Sequence, residues 1–301
     1  MPIRVIAEDG SEKIYNINIT RKAGATSLKN EIMKNTVITA KPTLTTSSNN
    51  TSDASGLYKS TATNTGEATY YFRGNVENNY VSFAGFTWRI VRINEDGTIR
   101  IVMQDGINNN ATYKFSSNYN NYAYMYYTNS NAKTILENWY QTNIGSKADL
   151  SQNVASGAYY CEQAKAKLHS SWTSGSANMT VYSSYTPDFK CETDGNGKGV
   201  VNASVGLLSY DEVIYAGGYY AKENNNYYLY DSLINWWTSS SAGYSSTSSY
   251  VSSYIWYITS SGAIKIKDTP GSYAVRSVLV LKSNTQISSG DGTKNNPFIV
   301  E

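Results

Sequence analysis

Charge is scarce in this chain. Asp, Glu, Lys and Arg make up 16% of its 301 residues, against about a quarter in an ordinary soluble domain. The 25 basic side chains nearly cancel the 23 acidic ones, and no Lys/Arg cluster could track a phosphate backbone, which argues against a nucleic-acid partner. Histidine is scarcer still. The one histidine, His169, and two cysteines fall short of the roughly four soft or imidazole ligands of a structural zinc site. No run reaches the roughly 18 apolar residues of a membrane span. Met1 leads into a strand-like segment with no signal peptide, so an exported chain would take its targeting and anchoring parts from elsewhere.

What is present is amide, hydroxyl and phenol. The chain has 28 Tyr against 6 Phe, with abundant Asn and Ser. Such a surface recognises partners through adaptable hydrogen bonds and amphipathic rings, as binding loops do. The same bias would also serve a secreted structural protein. Cys161 and Cys191 would pair in an oxidising compartment and clip the Ser-, Gly- and Tyr-rich excursion between them. The alternative is two buried thiols.

At this length the chain can bury a substantial core. Residues 3–21, "IRVIAEDGSEKIYNINITR", read as two strands joined at Asp9-Gly10. Two strands bury a hydrophobic face poorly on their own. Residues 26–36, "TSLKNEIMKNT", read as a short helix capped by Thr26 or Ser27, and a Ser/Thr/Asn-rich linker follows at 43–56. Beyond it, "ATYYFRG", "NYVSFAGFTWRIVRIN" and "TIRIVMQ" read as strands, the last two joined by the Asp96-Gly97 turn. Phe86, Trp88 and Ile90, with Val91 and Ile93 opposite, make 86–93 apolar on both faces, as in a central or covered strand. Helices are expected over 131–144, over "AYYCEQAKAKL" (158–168) and over "LLSYDEVIYAGG". In the last, Ser209 and Glu212 form a capping box and Gly217-Gly218 ends the helix. The sum is α+β, a twisted antiparallel sheet with two or three helices.

Five segments recur in an informative order: "YYFRGNVENNYVSFAGFTWRIVRINEDGTIRIV" (70–102), "SVGLLSYDEVIYAGG" (204–218), "NWWTSSS" (235–241), "YAVRSVLVLK" (273–282) and "SSGDGTKNNPFIV" (288–300). Together they resemble a recurrent module of large surface proteins in Firmicutes and Mollicutes-like gut bacteria. The resemblance implies a C-type-lectin-like fold over 57–301, of the kind shared by formylglycine-generating enzymes and the hypervariable proteins of diversity-generating retroelements. Residues 3–21 resemble the last strands of a cadherin-like β-sandwich repeat. The expected organisation is therefore a truncated sandwich remnant at 1–22, a short helix and linker at 23–56, and the surface module at 57–301. Ala274, Val275, Arg276 and Ser277 stand where the family usually carries Arg-Pro, so a local backbone change is expected there.

Catalytic constellations are thin. His169 on a Lys-rich stretch reads as a solvated side chain. Asp211 and Glu212 are adjacent on one helix and point in different directions, whereas glycoside hydrolysis needs two carboxylates flanking one bond. Asp291 and Asn295 sit in a tight-turn sequence that lacks the dense acidic ligands of a calcium loop. No metal or cofactor is expected. Trp236 and Trp237, if extended, face opposite ways, one into the core and one outward or under a helix.

In lectin-like relatives the C-terminal region faces the ligand. That implies contacts from Tyr244, Tyr250, Tyr254 and Trp256, joined by Asn224, Asn225 and Tyr227. The competing reading is a sheet stabilised by cross-strand aromatic pairs. The functional expectation is a non-enzymatic adhesin or recognition module on the bacterial surface, extracellular and attached to neighbouring domains. It would bind a glycan or a surface protein without inserting into a membrane. A stalk or spacer module, and a phage or retroelement-diversified receptor-binding protein, are the alternatives.

Overall fold

Strand Phe86–Ile93, apolar on both faces, lies inside a sheet as its pattern requires. The computed structural model describes residues 2–6, 8–16, 26–44, 53–162, 179–180, 186–191, 199–246 and 251–301. On one side this strand pairs antiparallel with Ile99–Met103. Gly97 takes φ +83° in the connecting turn, and the Asp96 carboxylate accepts from Thr98 N–H and Oγ1–H at 2.9 and 2.6 Å. On the other side it pairs with Tyr80–Phe83 at one end and Thr69–Arg73 at the other. The expected single strand over 79–94 is broken at Ala84-Gly85, both at positive φ.

Val278–Leu281 and then Val205–Gly206 extend this first sheet beyond Ile99–Met103, and Gly56–Ser60 and Val37–Ile38 extend the other side. Phe298–Ile299 runs parallel to Tyr80–Phe83. The second sheet follows the order Thr112–Lys114, Ser272–Ala274, Trp236–Ser246, Val251–Ile258, Ala263–Asp268, Tyr219–Tyr220, with Met179–Thr180 also pairing to Trp236–Ser246. The segment "YAVRSVLVLK" therefore serves both sheets. Its first residues lie within the second sheet, between Thr112–Lys114 and Trp236–Ser246, Val278–Leu281 enter the first, and Arg276 sits at the crossing.

Helix Tyr210–Ala216 joins the two sheets. It has the expected capping box, Ser209 with Glu212, and ends at Gly217 in the left-handed region. From the first sheet, Arg73 donates to the carbonyls of Ile214 and Tyr215 at 2.8 and 3.0 Å. From the second, Ser240 Oγ accepts from Tyr210 N–H at 2.8 Å. Every residue of this helix is buried, so Glu212 is buried as a charge. It lies 3.4 Å from Arg92 Nε and 3.2 Å from Arg100 Nε. Helix Asn131–Tyr140 continues into a π turn over Gln141–Gly145. Its Trp139 packs against Phe86 and Trp88, with ring centroids at 5.2 and 6.4 Å.

Two further sequence expectations change. The stretch expected as a helix at 158–168 begins as strand Ala158–Cys161, paired with Val200–Ala203; cross-strand pairing and burial of Tyr160 override the helix preference of an Ala-rich segment. Its remainder, residues 163–168, lies outside the described residues. The N-terminal helix is shorter, Leu28–Ile32, and Ser27 occupies the cap position without a side-chain bond. Residues 26–38 also join the main body: Leu28 and Ile32 are core residues, Thr26–Ser27 pairs with Gln286–Ile287, and Val37–Ile38 with Gly56–Ser60. The hairpin Pro2–Ile6 with Glu12–Asn16 forms as expected.

Cys161 and Cys191 form a disulfide with a Cα–Cα separation of 4.8 Å. The bridge closes 30 residues of chain, and a loop of that size confers about 2–4 kcal/mol by restricting the unfolded state. Chemical denaturation with and without reductant should differ by that amount; coincident curves would mean that the bridge contributes nothing. Among the described residues no helix is long and apolar enough to cross a membrane.

Candidate functional site

Residues 235–264 carry no charged side chain, and those of them that the structure describes are mostly buried. Thr238, Ser239, Ser240 and Ser241 are each 0% exposed, and their hydroxyls are spoken for. Thr238 donates to Trp256 O at 2.8 Å, Ser239 to Cys161 O at 2.5 Å and Ser241 to Met125 O at 2.9 Å, while Ser240 accepts from Tyr210 N–H. Buried hydroxyls are tolerated when bonded in this way. Small side chains let the strand Ala158–Cys161 and helix Tyr210–Ala216 approach the sheet closely.

Of the residues expected at the ligand surface, Trp256, Tyr244, Tyr227 and Asn224 pack into the interior. Trp256 is buried, stacked on Tyr210 at 4.5 Å and met edge-on by Tyr220 at 5.4 Å. Tyr244 is buried against Tyr122 at 6.3 Å. Tyr227 is buried and donates to Gly262 O at 3.2 Å. Asn224 is buried, its amide donating to Gly217 O at 2.7 Å and its oxygen accepting from Asn226 N–H. Gly262 backs onto Asn224 at φ +78°, and a Cβ there would collide with the Asn224 carbonyl. Tyr254 is half-buried and Asn225 is exposed. Tyr250 and His169 lie outside the described residues. Both Trp236 and Trp237 are core residues; Trp237 faces away from Trp236 but is covered by Phe115, Tyr257 and Tyr273.

A cavity of about 470 Å³ opens instead where the first sheet meets the loop after Tyr228, among Tyr80, Thr87, Gln104, Asp105, Tyr230, Asp231, Ser232, Leu233 and Lys294. Gln104 and Asp105 follow directly on strand Ile99–Met103, Thr87 comes from its neighbour Phe86–Ile93, and Tyr80 from the strand paired with that neighbour on its other side. Lys294 comes from the 291–296 turn, which closes with Asp291 and Gly292 N–H donating to Asn296 O and reaches Tyr80 through Tyr80 N–H to Gly292 O at 2.8 Å. Asp291 accepts from Thr293 N–H at 2.9 Å, and that bond holds its carboxyl below the usual range. The expected tight turn is thus present.

Two buried arginines set the walls. Arg276 is 1% exposed and donates to Met103 O at 3.0 Å and Leu229 O at 2.8 Å, one residue before Gln104 and Tyr230. It therefore clamps both lining segments together. Its Nη2 has no hydrogen-bond partner among the described residues; burial lowers its pKa, opposed in part by Asp231 and Asp105. Arg89 donates to Asn79 Oδ1 and Val76 O at 2.7 Å and stands 3.8 Å from the centre of the Tyr80 ring. Burial pushes its guanidinium down to about 10, which leaves it charged at neutral pH.

The cavity groups divide by hydrogen-bonding role. Asp105 is exposed and has no hydrogen-bond partner among the described residues. Asp231 is mostly buried, with Oδ1 accepting from Leu233 N–H at 2.8 Å. Gln104 Oε1 accepts from Arg89 at 3.4 Å, so its NH₂ is left to donate elsewhere. Leu233, 78% exposed at the mouth, is an apolar side chain held out in solvent. The sequence reading stopped at Asn224, Asn225 and Tyr227 and so missed Tyr230 and Asp231 a few residues on. The remaining groups are assembled from distant segments, and no local pattern marks them.

No family model matches the chain, and neither a curated protein nor a solved structure matches it significantly.

Proposed function

We propose that this protein is a non-enzymatic extracellular recognition module that engages a glycan or protein on another surface at the Tyr80–Asp105–Tyr230–Asp231 cavity. The observation that carries the reading is a concave site lined by polar groups, with the exposed Asp105 carboxylate and the Gln104 NH₂ among those placed to bond a ligand, beside a solvent-exposed leucine. Preformed pockets with a few convergent polar groups and an apolar contact are where small ligands and ligand end groups bind. The disulfide suits an oxidising, extracellular compartment. Two sheets bridged by short helices are compatible with a C-type-lectin-like fold, and the N-terminal hairpin with the end of a cadherin-like repeat, on a bacterial surface protein.

A spacer module is the second reading, favoured by the burial of Tyr244 and Trp256. Labelled protein applied to bacterial and epithelial surfaces separates the two. The recognition reading expects saturable binding that Leu233→Asp weakens about tenfold, the worth of one buried leucine contact. Absence of saturable binding supports the spacer. Release of reducing ends from a bound glycan would instead make Asp105 and Asp231 a catalytic pair.

A further inference from the structure

We infer that the cavity takes an uncharged saccharide end group and rejects acidic ones. The inference rests on the cavity being the recognition site. Its lining mixes acceptors and donors: the carboxylates of Asp105 and Asp231 accept, the Lys294 ammonium and the Gln104 amide NH₂ donate, and the Thr87, Ser232 and Tyr230 hydroxyls do either. A polyhydroxyl ligand, in which each group both donates and accepts, can satisfy both kinds. An ammonium ligand would serve only the acceptors, and a carboxylate or phosphate only the donors.

Charge gives the same answer. Asp105, Asp231 and Lys294 all line the cavity, and the Arg276 guanidinium is close enough for both carboxylates to act on it. A ligand anion would meet two carboxylates, and a ligand cation would meet Lys294 and Arg276. Arg89, behind Tyr80 and Gln104, adds a further cation, but it and Arg276 are buried and bonded to carbonyls within the fold, so the charges exposed to a ligand are Asp105 and Lys294, one of each sign. The rings of Tyr80 and Tyr230 and the Leu233 side chain supply the apolar contact that the C–H face of a sugar ring requires. The volume of about 470 Å³ is in the range of small-molecule sites, about 300–1,000 Å³.

The test is an array of uncharged oligosaccharides (gluco-, galacto-, manno- and N-acetylhexosamine series) beside uronic acid and sialic acid counterparts, probed with the native chain and with Asp105→Asn and Asp231→Asn. Asp105 makes no hydrogen bond with any described residue, and Asn at 231 keeps an oxygen for the Leu233 N–H, so both variants should fold; their thermal melting is the control. Expected are binding to at least one uncharged series, weaker or no binding to acidic ones, and a loss of about tenfold in each variant, as for one hydrogen bond to a charged group. Preference for acidic glycans, equal affinity in both variants, or no glycan bound would overturn the inference. If labelled protein still binds cell surfaces in a Leu233-dependent way, the recognition reading survives that failure; if it does not, both fall.

Discussion

Replacing Glu212 by Gln is expected to cost about 3–5 kcal/mol of stability, the penalty for leaving a buried charge without its partner. Glu212 does three things. Its Oε2 accepts from Ser209 N–H at 3.0 Å, completing the cap of helix Tyr210–Ala216. Its Oε1 lies against both Arg92 and Arg100, two guanidiniums that are each 1% exposed. Glutamine keeps the shape and one acceptor but removes the only carboxylate within ion-pair distance of Arg100 among the described residues. Arg92 retains Glu95 at 3.3 Å, so the loss falls mainly on Arg100. Ser209→Ala should cost only about 1 kcal/mol, the usual worth of an N-cap side chain. Urea denaturation of both variants checks the account. A cost for Glu212→Gln no greater than that for Ser209→Ala would mean the buried ion cluster contributes little beyond the cap.

Trp256→Ala is expected to cost about 3–5 kcal/mol, the range for deleting a buried aromatic side chain. Sequence reasoning made Trp256 a ligand contact, and the packing makes it a core residue. Its indole lies between Tyr210 on the bridging helix and Tyr220 on the edge strand. Removing it opens a cavity between helix and sheet. A contact residue behaves in the opposite way, losing ligand while stability stays within about 0.5 kcal/mol, as surface substitutions usually do. Denaturation of Trp256→Ala, paired with surface binding at a temperature where the variant is folded, separates the two. Unchanged stability with lost binding would return the ligand site to Tyr244–Trp256.

What the sequence made legible was local. The Ser209–Glu212 capping box, the left-handed Gly217, the Asp96-Gly97 hairpin and the amphipathic 131–144 helix are each specified by residues a few positions apart. The disulfide was legible because only two cysteines exist to pair. The fate of the uncharged stretch was not. Ser and Thr resemble loop residues in a sequence, but here their partners are the carbonyls of Cys161, Met125 and Trp256, supplied by other segments. The strand at 158–161 was lost for the same reason, since its partner begins at Val200. The cavity was the least legible. Asp105 and Asp231 are brought together by Arg276, which at the crossing between sheets bonds the carbonyls of Met103 and Leu229, and the turn that carries Lys294 reaches Tyr80 through the Gly292 carbonyl.

The central claim is that recognition lies at this cavity and not along the buried C-terminal strands. Amide chemical-shift mapping of the native protein, titrated with a soluble extract of surface glycans and proteins from gut bacteria, tests it most directly. The account predicts shifts confined to Tyr80, Thr87, Gln104–Gly106, Tyr230–Leu233 and Lys294. Shifts centred on Tyr244–Trp256, with the cavity residues unmoved, would contradict it.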